Sequence, residues 1–511
     1  MHPSNNFDFI VKSCIFVETK ESNYFHNMRS LLKACIVSLC VIGFFTACKK
    51  DSPDGGDPSG SNTPENIIRY RTMDLQVTTP TVVIGEMVSN TYKDGWGQME
   101  FTGPVTSIPD NAFQDNTSLV SIELSNKVGS IGAGAFKGCS NLLSITTGNG
   151  IKTIGRSAFS GCSSLKEFAI ADGIIELPDY VFNECTNLET VYLGKGLTKV
   201  SNKAFLFCSK VSQVHIKDLT YWCESGYGWH ITLNSNVPVH LYQDGKEIIN
   251  LTIPESVKTI NNYAFAYCTS IKSVIIPESV IGIGKRSFSD CSSLERVSIP
   301  SGIVALGISA FEYCGNLKRV DIPSIDAWLK LTFTEDTDSY SGAANNPFEF
   351  SGEGHLYVSD KEITEITIPD GFTKVGDFTF VHLKNLASVT IPDSVQEVGV
   401  CAFENCKSLQ SILIPDKVTK IDASAFRSSG IKNITLGSGV TTISYQAFRN
   451  CENLETIKLR TNNPPRIYTD PSIPVFDGCN KLSQIIVPVG SLQSYKSAKG
   501  WSSVSHLIVE E

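Results

Sequence analysis

The sequence predicts an α/β repeat protein in which stacked units form a β-rich solenoid. An apolar frame residue returns every 23 residues, and the first five such residues are Val105, Val128, Ile151, Ile174 and Leu197. Within a unit, the spacing of apolar residues changes from three or four, which indicates a helical turn, to two, which indicates a strand. A unit this short cannot bury its own apolar side chains, so neighbouring units have to stack on one another.

The unit that begins at Ile151 shows both spacings. Phe159 and Cys162 predict the helical turn, whereas Phe168 and Ile170 predict the strand. We expect the strands of neighbouring units to lie roughly 4.8 Å apart in one sheet, with the repeat phenylalanines in single file. The frame resumes in two later blocks, which gives about twelve units, and the later frame residues are Val257, Val280, Ile303, Phe372, Val395, Val418 and Val440.

The fullest copies of the unit read I-G-x-x-A-F-x-x-C-x-x-L-x-x-I-x-I-P, almost complete in residues 283–300 and 398–415. This repeat resembles the BspA-like leucine-rich repeat of bacterial surface proteins, and the resemblance covers most of the chain from Ile67 onward. It implies a leucine-rich-repeat solenoid at the cell surface and adhesin-like binding of host extracellular matrix or cell-surface proteins.

The N-terminal region predicts export and lipid anchoring. Residues 28–47 begin with the basic Arg29 and Lys33 and continue in an apolar run that is too short to span a bilayer, which is typical of a signal peptide. Residues 45–48, F-T-A-C, resemble a lipobox, which implies that Cys48 carries the lipid of an outer-membrane lipoprotein exposed at the cell surface. A secretory peptide cleaved without lipid attachment and a buried apolar helix are the alternatives.

The segments around this signal have different compositions. Residues 1–27 lack a basic start, so we expect translation to begin at Met28 and the upstream residues to be a mis-assigned start. Residues 48–66 are polar and rich in Pro, Gly and Ser, which predicts a flexible tether. Residues 67–104 lack the repeat but contain apolar residues, and we expect them to cap the first unit.

The repeat array covers residues 105–463 and is interrupted by two related insertions, near residues 218–256 and 324–371. The first contains L-T-Y-W and H-L-Y-Q-D-G-K-E-I, and the second contains I-D-A-W and H-L-Y-V-S-D-K-E-I. The shared pattern predicts that both insertions add irregular turns to the solenoid and do not form separate domains. Residues 464–511 hold one more degenerate repeat, and we expect them to form a C-terminal cap.

Ten of the 16 cysteines occupy one position of the unit, three residues after the repeat phenylalanine. We expect them to form a buried ladder of free thiols, because free cysteine behaves as a small buried hydrophobe. Disulfides between neighbouring units and a metal site are alternatives, although no histidine accompanies the ladder at ligand spacing. The ladder cysteines are Cys139, Cys162, Cys185, Cys208, Cys268, Cys291, Cys314, Cys406, Cys451 and Cys479.

Composition and motifs argue against nucleic-acid binding and catalysis. The formal net charge is −9, which disfavours a nucleic-acid surface. No phosphate-binding loop, H-E-x-x-H or G-x-S-x-G motif occurs, so we expect no enzyme activity and no cofactor. Residues 336–347 begin like a calcium loop but lack its glycine and its final glutamate, so we expect no metal site there.

The outward positions of the predicted strands are mostly small and polar. Among them, Tyr192, Arg296 and Arg319 are our candidate protein contacts, because binding hot spots favour Trp, Tyr and Arg. Trp222 and Trp328 in the insertions are candidates for stacking on sugar rings. These five residues are the predicted binding residues.

Three functional hypotheses remain. The first is a surface adhesin, in which a repetitive face adds many weak contacts to host or cell-surface proteins through multivalency. The second is an accessory protein that holds glycans for a carbohydrate-uptake system. The third is a structural protein of the envelope. In each of them we expect membrane contact only through the N-terminal lipid.

Overall fold

The computed structural model describes residues 62–225, 237–333, 346–468 and 474–511. The chain divides into a first unit, Met1–Asp57, and a second unit, Pro58–Glu511. All described residues belong to the second unit. The predictions made for residues 1–61, including the signal peptide and the lipidation of Cys48, lie outside the described residues.

The second unit is a β-solenoid of about 16 stacked turns of roughly 23 residues. Strands from successive turns pair in parallel at equivalent positions, so that Ser121 pairs with Ser144 and Thr190 pairs with Gln213. Because 23 residues separate the partners, one turn of the chain returns to the same position in the sheet. The predicted β-rich solenoid is therefore confirmed.

Each turn contributes one strand to a row of parallel strands, which we call the face strands. Their side chains alternate between the core and the outward side, as the period of two in a strand requires. They are Leu119–Leu124, Ser144–Thr147, Glu167–Ala169, Thr190–Tyr192, Gln213–Ile216, His240–Gln243, Asn250–Thr252, Ser273–Ile275, Arg296–Ser298, Arg319–Asp321, His355–Val358, Glu365–Thr367, Ser388–Thr390, Ser411–Ile414, Asn433–Leu436, Thr456–Leu459, Gln484–Val487 and Ile508–Glu510.

A second set of strands is only two residues long and also pairs in parallel from turn to turn, as Lys374 does with Glu397. They give each turn a second set of hydrogen bonds to its neighbours. They are Ser107–Ile108, Ser130–Ile131, Thr153–Ile154, Glu176–Leu177, Lys199–Val200, Thr259–Ile260, Gly282–Ile283, Lys374–Val375, Glu397–Val398, Lys420–Ile421, Thr442–Ile443 and Arg466–Ile467.

The two ends of the array are covered by irregular elements. Strand Trp96–Phe101 pairs antiparallel with both Met87–Lys93 and Ile67–Thr72, and Ile67–Thr72 pairs antiparallel with the first face strand. At the other end, helix Leu492–Ser497 and the 3-10 helix Ser502–Leu507 precede the last face strand. The side chains of Tyr495 and Trp501 are fully buried, and their rings pack edge to face with centroids 5.2 Å apart.

The segments that the sequence predicts as helical turns are hydrogen-bonded turns of the i to i+3 kind. The backbone N–H of Cys162 donates to the carbonyl of Phe159, whereas the N–H of Phe159 donates to Val181 in the next unit. Ser157 has a φ of 57°, outside the right-handed helical region. The backbone therefore divides its hydrogen bonds between its own turn and the neighbouring turn, which a helix cannot do.

The repeat phenylalanines stack through the core as the sequence predicts, but among the described residues they form three files separated by the modules and not a single one. Phe113, Phe136 and Phe159 stack at centroid distances of 5.4 and 5.3 Å, and all three are fully buried. Stacked aromatic pairs add about 0.5–1.5 kcal/mol each beyond the burial of their area. The other stacked phenylalanines of the files are Phe182, Phe205, Phe265, Phe288, Phe311, Phe380, Phe403, Phe426, Phe448 and Phe476.

The cysteine ladder lies beside these files. All twelve described cysteines are free. The ladder thiols other than Cys268 donate to the carbonyl of a phenylalanine in the preceding unit, as Cys162 does to Phe136 at 3.2 Å between Sγ and O. Burial raises the pKa of Cys139 to about 12. The described residues contain no group of three or more histidine, cysteine, aspartate or glutamate side chains placed to hold a metal ion.

The two insertions, which we call the first module (residues 218–256) and the second module (residues 324–371), have the same architecture. Each starts with a short helix, Leu219–Ser225 or Ile325–Lys330. The next strand joins the face strands in parallel, since Leu241 pairs with Val214 and Leu356 pairs with Val320.

Each module then reverses direction in a two-residue turn. The return strands, Lys246–Glu247 and Lys361–Glu362, pair antiparallel with the preceding face strand. Within the described part of the chain, neither return strand pairs with the face strand that follows it. The row of face strands is therefore interrupted inside each module, after its return strand. It is also interrupted between Ser144–Thr147 and Glu167–Ala169, and between Ser388–Thr390 and Ser411–Ile414.

Candidate binding surface

The outward side of the face strands is the surface on which the predicted protein contacts lie. In Gln213–Ile216, for example, Val214 and Ile216 are buried, whereas Gln213 and His215 are not. Tyr192 occupies the same register as His215 and belongs to the sheet that ends with the return strand of the first module. Arg296 and Arg319 are register partners in the next sheet, which ends with the return strand of the second module. The predicted contacts thus fall into two separate places.

The first place is a stack of three rings, which we call the aromatic patch: Tyr192, His215 and Tyr242. The ring centroids of Tyr192 and His215 are 4.4 Å apart, and those of His215 and Tyr242 are 4.6 Å apart. These distances match the spacing of paired strands, because the three residues are register partners. Burial between the tyrosines lowers the pKa of His215, which favours the neutral imidazole.

The hydroxyls of the aromatic patch lie near carboxylates. Burial raises the pKa of Tyr192, and the negative charge of Glu167 raises it further. Burial and then Glu247 act in the same way on the pKa of Tyr242. Both tyrosines therefore stay protonated and can donate a hydrogen bond from the hydroxyl over the physiological range of pH.

The second place is a set of charged side chains around a tyrosine, which we call the charged patch: Arg296, Arg319, Asp321, Tyr357 and Asp360. The Arg319 guanidinium lies 3.9 Å from the ring centroid of Tyr357. Arg319 donates to Asp321 at 2.6 Å and also to Asp360, whereas Arg296 donates to Asp321 at 2.5 Å. Hydrogen bonds to Asp321 raise the pKa of Arg319. Two arginines and two aspartates thus neutralise one another.

Each module also carries a histidine paired with the glutamate of its return strand. His240 Nδ1 lies 2.5 Å from Glu247 Oε1, and His355 Nδ1 lies 2.6 Å from Glu362 Oε1. The hydrogen bond with His240 lowers the pKa of Glu247. The pKa of Glu362 is also lowered. Burial acts to raise it, but the hydrogen bonds from His355 and Asn385 outweigh burial. These pairs hold the return strand against the face strand.

The predicted sugar contacts, Trp222 and Trp328, are not on the surface. Both side chains are 0% exposed, so neither ring can stack on a sugar, and this part of the sequence prediction is wrong. The indole N–H of Trp328 donates to the carbonyl of Thr379 at 2.8 Å, and its ring packs against Phe333. Each short helix turns its tryptophan inward to fill the core of its module.

Sequence reasoning placed His215 on the outward side of its strand but named neither it nor Tyr242 and Tyr357 as binding residues. His215 follows Tyr192 by one repeat period of 23 residues, which was a usable signal. The two tyrosines stand in the shared H-L-Y of the insertions. Their place beside the array depends on how an insertion of irregular length continues the sheet, and the repeat period does not contain that information.

An open cavity of about 700 Å³ lies at the interruption of the face strands inside the first module. It is lined by Leu219 of the helix and by the return strand and the face strand after it, with Lys246, Glu247 and Thr252 at its wall. Among the described residues, no helix is long and apolar enough to cross a membrane.

The sequence matches the family model described as the BspA type leucine rich repeat region, in 6 copies. The matched residues are 106–227, 235–334 and 355–483. These ranges contain the two patches and most of both modules. The match therefore covers well over half of the chain.

Solved structures of bacterial repeat proteins are also similar to this chain. A leucine-rich repeat protein from Bacteroides ovatus is 23% identical, covers 84% of this chain and 91% of its own, and has a TM-score of 0.37. A leucine rich cell surface protein from Faecalibacterium prausnitzii is 24% identical, covers 89% and 98%, and has a TM-score of 0.33. No curated protein matches the chain.

Proposed function

The chain belongs to the BspA-type leucine-rich repeat family, and from this premise we propose that it binds proteins through the outward side of its face strands. Leucine-rich repeat solenoids are typically non-catalytic scaffolds for protein binding. The observation that carries the proposal is the aromatic patch of Tyr192, His215 and Tyr242 on a face whose other positions are mostly small and polar.

Two properties of the patch suit it to protein binding. Tyrosine offers a large amphipathic contact area and loses little side-chain entropy on binding, since it has few rotatable bonds. The rings are already stacked on each other at 4.4 and 4.6 Å, so their conformation is fixed before a partner arrives. The neighbouring face strands extend this contact surface with polar side chains.

We further propose that the protein is an adhesin-like lipoprotein exposed on the outer membrane. This rests on residues 28–47 as a signal peptide, on Cys48 as the lipidated residue and on residues 48–66 as the tether. Several acyl chains on one N-terminus anchor a protein stably, whereas one chain holds it only weakly. The expected partners are host extracellular matrix or cell-surface proteins.

Anchoring and binding are tested separately. Mass spectrometry of the N-terminal peptide from native cells should find a lipid on Cys48 and no peptide from residues 1–27. Protease treatment of intact cells should then remove the repeat region. An unmodified Cys48, or a repeat region that survives the protease on intact cells while lysed cells lose it, would contradict the anchoring proposal.

The binding test compares purified full chains, in detergent, on arrays of matrix proteins and of glycans. Substituting both tyrosines of the aromatic patch, Tyr192→Ser and Tyr242→Ser, should weaken binding to the captured matrix protein by about tenfold or more, as loss of hot-spot residues does. The matched control is Phe207→Ser, because Phe207 is an aromatic residue that is 59% exposed and not on a face strand. Binding to glycans alone, or equal losses in both variants, would overturn the proposal.

A further inference from the structure

Among the residues that the structure describes, His215 is the one ring stacked on Tyr192, and the other face of the Tyr192 ring has no ring against it. The ring centroids of His215 and Tyr192 are 4.4 Å apart. In the opposite direction along the sheet, the register partner of Tyr192 is Ala169, whose side chain is a single methyl group. The stack of rings therefore ends at Tyr192, one strand before the last strand of this sheet. The strands of Ala169 and Tyr192 lie roughly 4.8 Å apart, so the space above Ala169 is wide enough for one planar group to stack on the Tyr192 ring.

A carboxylate stands beside this open position. Glu167 is two residues before Ala169 on the same strand, so both point to the outward side, and its side chain is exposed. The charge of Glu167 reaches the Tyr192 hydroxyl, whose pKa it raises. Among the residues that the structure describes, Glu167 takes part in no ion pair. The position thus combines an aromatic face and an acid without a cation.

At two other places on this chain, an arginine lies on an aromatic ring and pairs with a neighbouring carboxylate. At the N-terminal end, the guanidinium groups of Arg69 and Arg71 lie 4.5 and 4.0 Å from the ring centroid of Trp96, and Arg69 pairs with Glu123 at 3.4 Å. In the charged patch, Arg319 lies on the ring of Tyr357 and pairs with Asp321, as described above.

Arginine is suited to these sites for two reasons. Its planar guanidinium stacks on an aromatic face, and its N–H groups donate to a carboxylate in the same plane. A lysine ammonium can make the charge contact but cannot stack. The open position at Tyr192 therefore has the features of a site whose arginine is supplied from outside the chain.

We propose that the position above Ala169 binds an arginine side chain of a partner protein, with its guanidinium stacked on Tyr192 and paired with Glu167. This rests on the proposed function and names the chemistry of the partner. The net charge of −9 also favours a basic partner segment. Lysine at the same place binds more weakly, because the ring face then stays unused.

The test observes Tyr192 directly by fluorine NMR of the full chain, in detergent, with its 16 tyrosines replaced by 3-fluorotyrosine. The Tyr192→Phe variant assigns the resonance. Titration with N-acetyl-arginine amide should shift that resonance in a saturable manner. N-acetyl-citrulline amide has nearly the same shape without the charge, and it should bind about three- to tenfold more weakly.

Two substitutions separate stacking from overall charge. Ala169→Arg places a guanidinium of the chain itself on Tyr192, so it should shift the resonance before any ligand is added and abolish the response. Ser298→Arg adds the same charge at the equivalent outward position of another turn, and the response should remain. Glu167→Gln should weaken the arginine response about two- to fivefold. Unchanged resonances of the other tyrosines show that each variant is folded.

Three results would overturn the inference: no shift with the arginine derivative, an equal response to citrulline, or a full response in the Ala169→Arg variant. Its failure is distinguishable from failure of the proposed function. If matrix-protein capture still depends on Tyr192 while the arginine derivative leaves the resonance unmoved, only the arginine site is rejected. If the arginine derivative binds but no protein is captured by the face, only the protein-binding function is rejected.

Discussion

The first and second modules share one scaffold and present different chemistry. Both hold a buried tryptophan in a short helix, a tyrosine in the strand that joins the face and a histidine paired with glutamate. In the first module, Tyr242 continues a stack of rings that ends at Tyr192. In the second, Tyr357 is covered by Arg319, and aspartates neutralise the arginines. The residues on the neighbouring turns, and not the modules themselves, therefore decide what each place can bind.

The turns of the modules contribute to this difference. Asp244 and Gly245 in the first module have φ values of 50° and 73°, and Ser359 and Asp360 in the second have 50° and 62°. Both turns thus place two residues in the left-handed region, as two-residue hairpins favour. Where the first module has a glycine, the second has Asp360, which supplies the second carboxylate to Arg319. Asp360, a residue of the turn, therefore helps to neutralise the arginines of the charged patch.

The shared part of the modules should be the more sensitive to substitution. Replacing either buried tryptophan, Trp222→Ala or Trp328→Ala, should lower the free energy of unfolding by about 3–5 kcal/mol, because each leaves a cavity in the core. Urea unfolding of the full chain measures this. Tyr221→Ala, at a side chain that is 48% exposed in the same helix as Trp222, is the control and should have little effect. Losses below about 1 kcal/mol for the tryptophans would contradict the description of the modules.

A pH dependence should distinguish the second module. Burial, and then the charge of Glu404, raises the pKa of Glu349 to about 7 from its ordinary value of 4.5. The folded chain therefore binds this proton more tightly than the unfolded chain, and stability falls as the pH rises from about 4.5 to about 7. Glu349→Gln removes this loss and should stabilise the protein at pH 8 by on the order of 1–3 kcal/mol.

The same substitution should change nothing at pH 4, where Glu349 is protonated in both states. The control is Glu353→Gln, because the hydrogen bond from Lys318 lowers the pKa of Glu353. A lowered pKa contributes stability above the unfolded value that is lost as the pH falls, so this variant should be less stable at pH 8, the opposite sign. Unfolding curves at both pH values give the comparison. A gain for Glu349→Gln that is equal at pH 4 and pH 8 would show that the carboxyl is not the cause.

The smallest effect concerns the turn that distinguishes the modules. Asp360→Gly gives the second module the glycine of the first and removes one of the two carboxylates from Arg319. Because exposed ion pairs contribute about 0–1 kcal/mol, the free energy of unfolding should change by less than about 1 kcal/mol. The net charge rises by one unit, and the charged patch should gain affinity for an acidic peptide. Calorimetric titration with such a peptide, against Asp244→Gly as the matched control, measures the gain. No difference between the two variants would show that Asp360 does not hold Arg319.

The repeat period was sufficient to predict the solenoid and the phenylalanine files, because identical units 23 residues apart can bury Phe136 and Phe159 only against each other. It was not sufficient for the turns before each strand, where Ser157 leaves the helical region so that Phe159 can bond to the next unit. The side to which a helix of six or seven residues turns Trp222 or Trp328 depends on the core that it meets, and their short sequences do not encode it.

Photo-crosslinking tests the central claim most directly, namely that the outward side of the face strands binds protein through the aromatic patch. A benzophenone amino acid replaces Tyr192 in one full chain and Phe207 in another, and each chain is irradiated with the matrix protein captured on the array. The account predicts a cross-linked product from position 192 and none from position 207. A product from position 207 alone would place the contact elsewhere on the solenoid and contradict it.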